Sequence, residues 1–201
     1  SYINDYVLSI DTILTNRIGK DFFVKHTKQT DKFIITLYKY ILRKHFASYL
    51  PLGTSIPICL IALGSYGREQ LCIYSDIDLM ILYEDIKGYN LKEVMEEFIT
   101  LAWDCGIKLG SRVHELKDVQ ASVKEDVTIK TSLIESRLIY GSKHLWFSYE
   151  NVLSKIRKTN QINFILEKNL EHTIRLKKYP LKMQANIKDG YGGMRDANML
   201  F

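Results

Sequence analysis

The chain has 201 residues, 46% of them hydrophobic and 25% charged, which is the balance of an ordinary globular protein with a sizeable core. Its longest apolar run, around Ile56 to Leu63, falls far short of the ~20 residues a membrane-spanning helix needs, and no signal-peptide pattern opens it, so the sequence reads as cytoplasmic. A net charge of +5 suits anionic ligands without the concentrated basic footprint of a nucleic-acid binder, and three cysteines with no paired or His-partnered spacing exclude a disulfide framework and a zinc finger.

From Tyr2 to about Leu50 apolar residues recur at helical spacing: Tyr6, Ile10, Ile13 and Leu14, then Phe33, Ile34, Leu37, Ile41 and Leu42. Gly19 and Lys20 separate two helices. Pro51, Gly53 and Pro57 end this pattern, and Ile58 to Leu63 reads as a strand buried on both faces. Gly64 and Gly67 make a turn, Arg68 to Leu71 a short helix, and Asp76 to Tyr83 a second strand. Asn90 caps a helix whose apolar face is Leu91, Val94, Met95, Phe98, Leu101 and Ala102, ended by Gly106. A third strand runs from Ile107 to about Leu116.

From there to Tyr179 the pattern reads as helical with a break at Gly141. Between Lys155 and Lys188 the basic residues thicken, Lys177, Lys178 and Lys182 among them, as a solvated helix face or a phosphate-facing patch. A glycine-rich loop, Asn186 to Asp196, precedes the start of another helix. The expectation is an α+β fold: a helical segment over 1–50, a core with a small mixed sheet over 51–120, and a helical lobe over 121–201. The three cysteines, Cys59, Cys72 and Cys105, read as buried apolar filler.

Chemistry concentrates between Leu63 and Leu82. Gly64-Ser65 directly follows a strand, so the backbone can approach a ligand closely and successive N–H groups can nest phosphate oxygens, or the pair is simply a strand-ending turn. Arg68 adds a planar charged fork. Asp76 and Asp78, two apart on an apolar strand, place both carboxylates on one face with roots roughly 6.6 Å apart. Such a pair can bracket metal ions, or it marks an exposed strand end. A Walker-type loop is absent, which argues against a P-loop kinase or ATPase.

A Gly-Ser turn after one strand and Asp-x-Asp on the next, with Asp76 eleven positions after Ser65, resembles the signature of the DNA polymerase β-like nucleotidyltransferases. Gly67-Arg68-Glu69, Leu101-Ala-Trp-Asp-Cys-Gly106, Ser132-Leu-Ile-Glu-Ser-Arg-Leu-Ile-Tyr-Gly141 and the 186–196 loop look like the protein-PII uridylyltransferase family. The resemblance runs from about Leu63 to the end. It implies magnesium-dependent transfer of UMP from UTP to a tyrosine of the nitrogen-signalling protein PII. It further implies Asp76 and Asp78 as catalytic metal ligands, and Gly64, Ser65, Gly67 and Arg68 at the nucleotide.

The same resemblance makes Lys188 a phosphate contact and Glu115 the third carboxylate, which the residues alone read equally as a solvated acid. The family's hydrolase and glutamine-sensing domains have no counterpart in these residues, so the sequence reads as a catalytic-domain fragment. Departures are Ser65 where a second glycine is expected, Tyr191 where proline is, and Gly110-Ser-Arg-Val-His-Glu115 in the third strand. Two alternatives stay open: an adenylyltransferase acting on another protein such as glutamine synthetase, and a non-catalytic nucleotide-binding module.

Overall fold

The structure, a computed structural model, describes residues 19–46, 54–122, 127–179 and 186–199. The apolar repeat from Tyr6 to Leu14 and Lys182 lie outside the described residues. By contact density the chain divides into two units, Ser1–Ser154 and Lys155–Phe201.

In the first unit, Gly19 turns the backbone with φ +106° and α1 follows over Lys20–Phe46. Its buried stripe, Ile34, Tyr38, Ile41 and Leu42, has the expected helical spacing. Asp21 in the first turn and Arg43, Lys44 and His45 in the last complement the helix dipole. Strand β1, Ile58–Ala62, is buried at all five positions. A single helical turn, α2 over Gly64–Gly67, stands where a short helix was expected four residues later, and Arg68 closes it.

Strand β2, Ile77–Tyr83, pairs antiparallel with β1, Ile58 opposite Tyr83 and Ala62 opposite Leu79. Helix α3, Leu91–Asp104, crosses over to β3, Leu109–Glu115, which lies parallel to β2. Trp103 at the end of α3 donates its indole N–H to the Leu109 carbonyl at 3.3 Å and so pins the start of β3. A 3₁₀ turn over Leu116–Asp118, α4 over Val119–Ser122 and α5 over Val127–Ile134 follow.

The fourth strand corrects the reading of 121–201 as helical. Strand β4, Arg137–Gly141, pairs antiparallel with β1, so the sheet order is β3-β2-β1-β4 and the sheet extends past position 120. Arg137 to Tyr140 are all half-buried, so no inside-outside alternation marks the strand, and a short apolar run does not separate helix from strand. Helix α6, Lys143–Lys158, follows.

The core joins Leu60, Ala62, Leu79 and Ile81 of the sheet to Ile34, Tyr38 and Ile41 of α1 and to Val94, Phe98 and Ala102 of α3. Cys59, Ile61, Met80 and Leu82, on the alternate face, are buried too, which is why β1 and β2 read as continuous apolar runs. Only Cys59 of the three cysteines is buried; Cys72 is exposed and Cys105 half-buried, so the filler role holds for one.

In the second unit, α7 spans Gln161–Lys178 and α8 spans Met194–Met199. The glycine loop between them is folded on itself. Asn186 Oδ1 accepts the Lys188 and Asp189 N–H groups at 3.0 and 2.8 Å, and the Met194 N–H reaches the Ile187 carbonyl at 2.8 Å. Asp196 binds His172 and Arg175 of α7 and the Gly192 N–H, while Arg195 pairs with Asp189. The loop is a buttress for α7.

Candidate active site

The antiparallel pairing of β1 and β2 decides where the two halves of the motif meet. The chain leaves β1 at Leu63, whose N–H donates to the Asp78 carbonyl at 3.0 Å, so the turn that follows starts beside Asp78. Gly64 sits at φ +54°, in the left-handed region that favours glycine. A Cβ on it would lie 3.4 Å from one Asp78 carboxylate oxygen. On the other side Asp78 is opposite Gly110 of β3, and a Cβ there would lie 3.2 Å from the second oxygen. The Asp78 carboxylate thus occupies a slot walled by two glycines, one from each neighbouring segment.

Asp76 stands two positions earlier, immediately before β2, and both acids are exposed. Strand alternation directs both to one side. The exposure resolves the electrostatic question raised by two like charges on an apolar strand: water solvates them at the sheet end. Hard carboxylate oxygens in an open position suit magnesium, which is commonly held by one or two carboxylates with substrate phosphates completing the shell. Among the described residues no group of three or more His, Cys, Asp or Glu is placed to hold a metal ion.

Glu115, expected as the third carboxylate, is not brought beside the acid pair. In the parallel register Asp78 faces Gly110 whereas Glu115 faces Tyr83, five residues further along, about 17 Å up the strand and on the opposite face by parity. Its carboxylate pairs with Lys117 at 2.8 Å. Arg112 is the residue that shares Gly110's parity, two positions on and exposed, opposite Met80. The next on that side, His114, has its pKa lowered by burial and then by Arg112, against a smaller opposing pull from Asp118.

Behind the turn, Gly67 is packed so closely on the Glu135 carbonyl that a Cβ would approach to 2.0 Å. Gly67 is thus a packing glycine. Arg68 turns to Glu135, Nη1 to Oε2 at 2.5 Å, and its Nε donates to Gln70 at 3.1 Å. Ser65 is half-buried, and its carbonyl accepts the Gln70 N–H at 2.8 Å. Lys188 is an exposed residue of the second unit. Sequence reasoning missed Gly110 as a wall of the slot and Asp31 behind the turn; Glu135 and Arg137 stand within the family-like stretch Ser132–Gly141, with no role read for either.

Residues 17–114 match the sequence family described as putative nucleotidyltransferase DUF294. Over 146 residues, 71% of this chain, the sequence is 34% identical to a bifunctional uridylyltransferase/uridylyl-removing enzyme of Methylococcus capsulatus, covering 17% of that protein. An enzyme of the same description from Azotobacter vinelandii is 38% identical over 146 residues, 71% of this chain and 16% of that protein. The matching stretch is thus a small part of those relatives. A solved toxin-antitoxin structure with AMP-PNP aligns with 68% of this chain and 97% of that one, at a TM-score of 0.35 and 16% identity.

Proposed function

Given that residues 17–114 are a nucleotidyltransferase domain of the DUF294 family, in a chain homologous to uridylyltransferases, we propose that it transfers UMP from UTP to a tyrosine of PII. Magnesium is the cofactor in this reading, with Asp76 and Asp78 as its ligands. The observation that carries it is the Asp78 slot: the glycine turn ending β1 starts beside Asp78 of β2, whose carboxylate lies against Gly64.

The step balances simply. The phenolic oxygen of the acceptor attacks the α-phosphorus, a new P–O bond forms, the bond to the β-phosphate bridging oxygen breaks, and pyrophosphate leaves while the phenolic proton passes to solvent. Bound magnesium supplies charge neutralisation on the phosphates. The residues contribute position. Asp76 and Asp78 would present two anionic ligands, and the absence of a side chain at Gly64 and Gly110 leaves room for the Asp78 carboxylate between them. Gly64 and Ser65 turn the backbone towards the triphosphate. Gly67 and Arg68 hold the rear of that turn on Glu135. Lys188, a residue of the second unit, enters no step in this reading.

A second reading, a nucleotide-binding module without turnover, is favoured by one observation: no third His, Cys, Asp or Glu joins the acid pair among the described residues. Incubation of PII with the chain, magnesium and each of the four triphosphates, followed by intact-mass measurement of PII, separates these readings. The expected result is a gain of one UMP with UTP alone. A gain of AMP with ATP moves the base preference to the adenylyl class, and nucleotide binding with neither mass gain nor pyrophosphate release supports the module.

A further inference from the structure

Apart from Glu135 behind the turn, the segment Ser132–Gly141 has no role in the chemistry above, yet it supplies most of what surrounds the back of the α2 turn. Arg137 at the start of β4 donates from Nη1 to Asp31 Oδ2 at 2.9 Å and from Nη2 to Asp31 Oδ1 at 3.1 Å, a two-pronged pair with α1. The same Nη2 donates to the Tyr66 carbonyl at 3.3 Å, inside the turn. Tyr66 closes the ring: its hydroxyl donates to Asp31 Oδ1 at 2.7 Å, and its aromatic face lies 5.5 Å below the guanidinium. Burial, reinforced by Asp31, pushes the Tyr66 hydroxyl up, so it stays a donor throughout the physiological range. Two residues before Arg137, the Glu135 carbonyl backs Gly67 and the Glu135 carboxylate holds Arg68.

Tyr66, Gly67 and Arg68 are therefore each gripped from behind, while Gly64, at the other end of the same turn, walls the Asp78 slot. A helix of four residues has no stability of its own, because forming one turn fixes several dihedral angles for a single hydrogen bond. Something outside it must set its place. A guanidinium bonded to a carboxylate by two parallel hydrogen bonds is directional in a way that an ammonium is not.

We propose that Arg137, together with Asp31 and Glu135, is a positioning residue that fixes the Gly64–Ser65 turn against Asp78 so that it is pre-set for triphosphate. This rests on the nucleotidyltransferase reading and deepens it. The alternative is a network that only stabilises the fold, and the two differ in what a charge-conserving change does.

The test is Arg137→Lys, which keeps the charge beside Asp31 but lacks the planar fork that bonds both Asp31 oxygens in parallel. It is measured in the intact chain by the magnesium–UTP dissociation constant, by KM and kcat separately, by melting temperature, and by amide hydrogen exchange. A turn no longer pre-set for the triphosphate loses binding common to the ground and transition states, so the expected result is a UTP dissociation constant and KM raised at least about tenfold, with kcat changed about threefold or less. Exchange at Ser65 to Arg68 should quicken while β1 and β2 amides keep their protection.

Tyr66→Phe, which removes one hydroxyl and leaves the carbonyl, gives a smaller change in the same sense and stands in should Arg137→Lys fail to fold. The positioning role is overturned if the folded variants bind UTP as the unaltered chain does, or if exchange quickens equally across β1, β2 and the turn. An unaltered chain that binds none of the four triphosphates overturns the nucleotidyltransferase reading and this role with it, a result distinct from the first because it appears without any substitution.

Discussion

Asp78 is the residue on which the proposed chemistry depends, and its environment is only half legible in the sequence. Asp-x-Asp on an apolar strand and the preceding Gly-Ser turn are patterns of residue type at fixed spacing, so the sequence displays them. Gly110 is not such a pattern: its importance comes from lying opposite Asp78 in a parallel pairing that joins residues 32 positions apart. Gly110→Ala tests the slot. Its Cβ would sit 3.2 Å from the carboxylate, closer than ordinary contact, so the acid must shift by a few tenths of an ångström. Gly110 is exposed, and the expected loss is about tenfold or more in kcat/KM, within the range for small misplacements, at a nearly unchanged melting temperature. Glu115→Gln is the counterpart. With its carboxylate on Lys117 at the far end of β3, transfer should stay within about threefold of the unaltered chain, roughly 0.6 kcal/mol of barrier.

At the scale of elements, the strands and helices that carry continuous apolar runs or a clear 3.6-residue stripe were readable: β1, β2, α3 and the second half of α1 fall where the pattern put them. β4 was not, because an edge strand of four half-buried residues and a buried glycine has neither alternation nor a full apolar run, and its partner β1 lies about 80 residues earlier in the chain. What identifies it is Gly141, read from sequence only as a break. There φ is +131°, and a Cβ would come within 2.2 Å of the Ile58 carbonyl, so β4 ends by pressing its backbone onto β1. Gly141→Ala should destabilise the first unit by more than about 2 kcal/mol, backbone strain and steric conflict adding together. Urea unfolding monitored by Trp103 and Trp146 fluorescence measures it, and a change below about 0.5 kcal/mol would show that β4 yields without loss.

For the whole molecule, ionisation sets a pH window. Burial holds the His26 pKa below its ordinary 6.5, and burial with Arg112 does the same for His114. Both bind protons more readily in the unfolded chain. Their contribution to stability is complete above pH 6.5 and is lost as the pH falls through the lowered folded-state values. Glu97, lowered by its hydrogen bonds to Lys44 and His45, adds the same trend at more acid pH. The urea midpoint should therefore be flat from about pH 7 to 8 and fall from about pH 6 downwards, with His26→Gln reducing the slope; a midpoint that rose on acidification would contradict this. None of this touches the acid pair, whose role decides what the molecule does. The most direct measurement is pyrophosphate release with UTP, magnesium and PII by the unaltered chain beside Asp78→Asn, with melting temperatures taken in the absence of metal. Asparagine keeps the shape and removes the charge, so the expected result is turnover lowered by at least about 100-fold, near 2.7 kcal/mol, in a protein that melts at the same temperature or slightly higher. Turnover retained within about tenfold, roughly 1.4 kcal/mol, would contradict a metal-assisted transfer at this site.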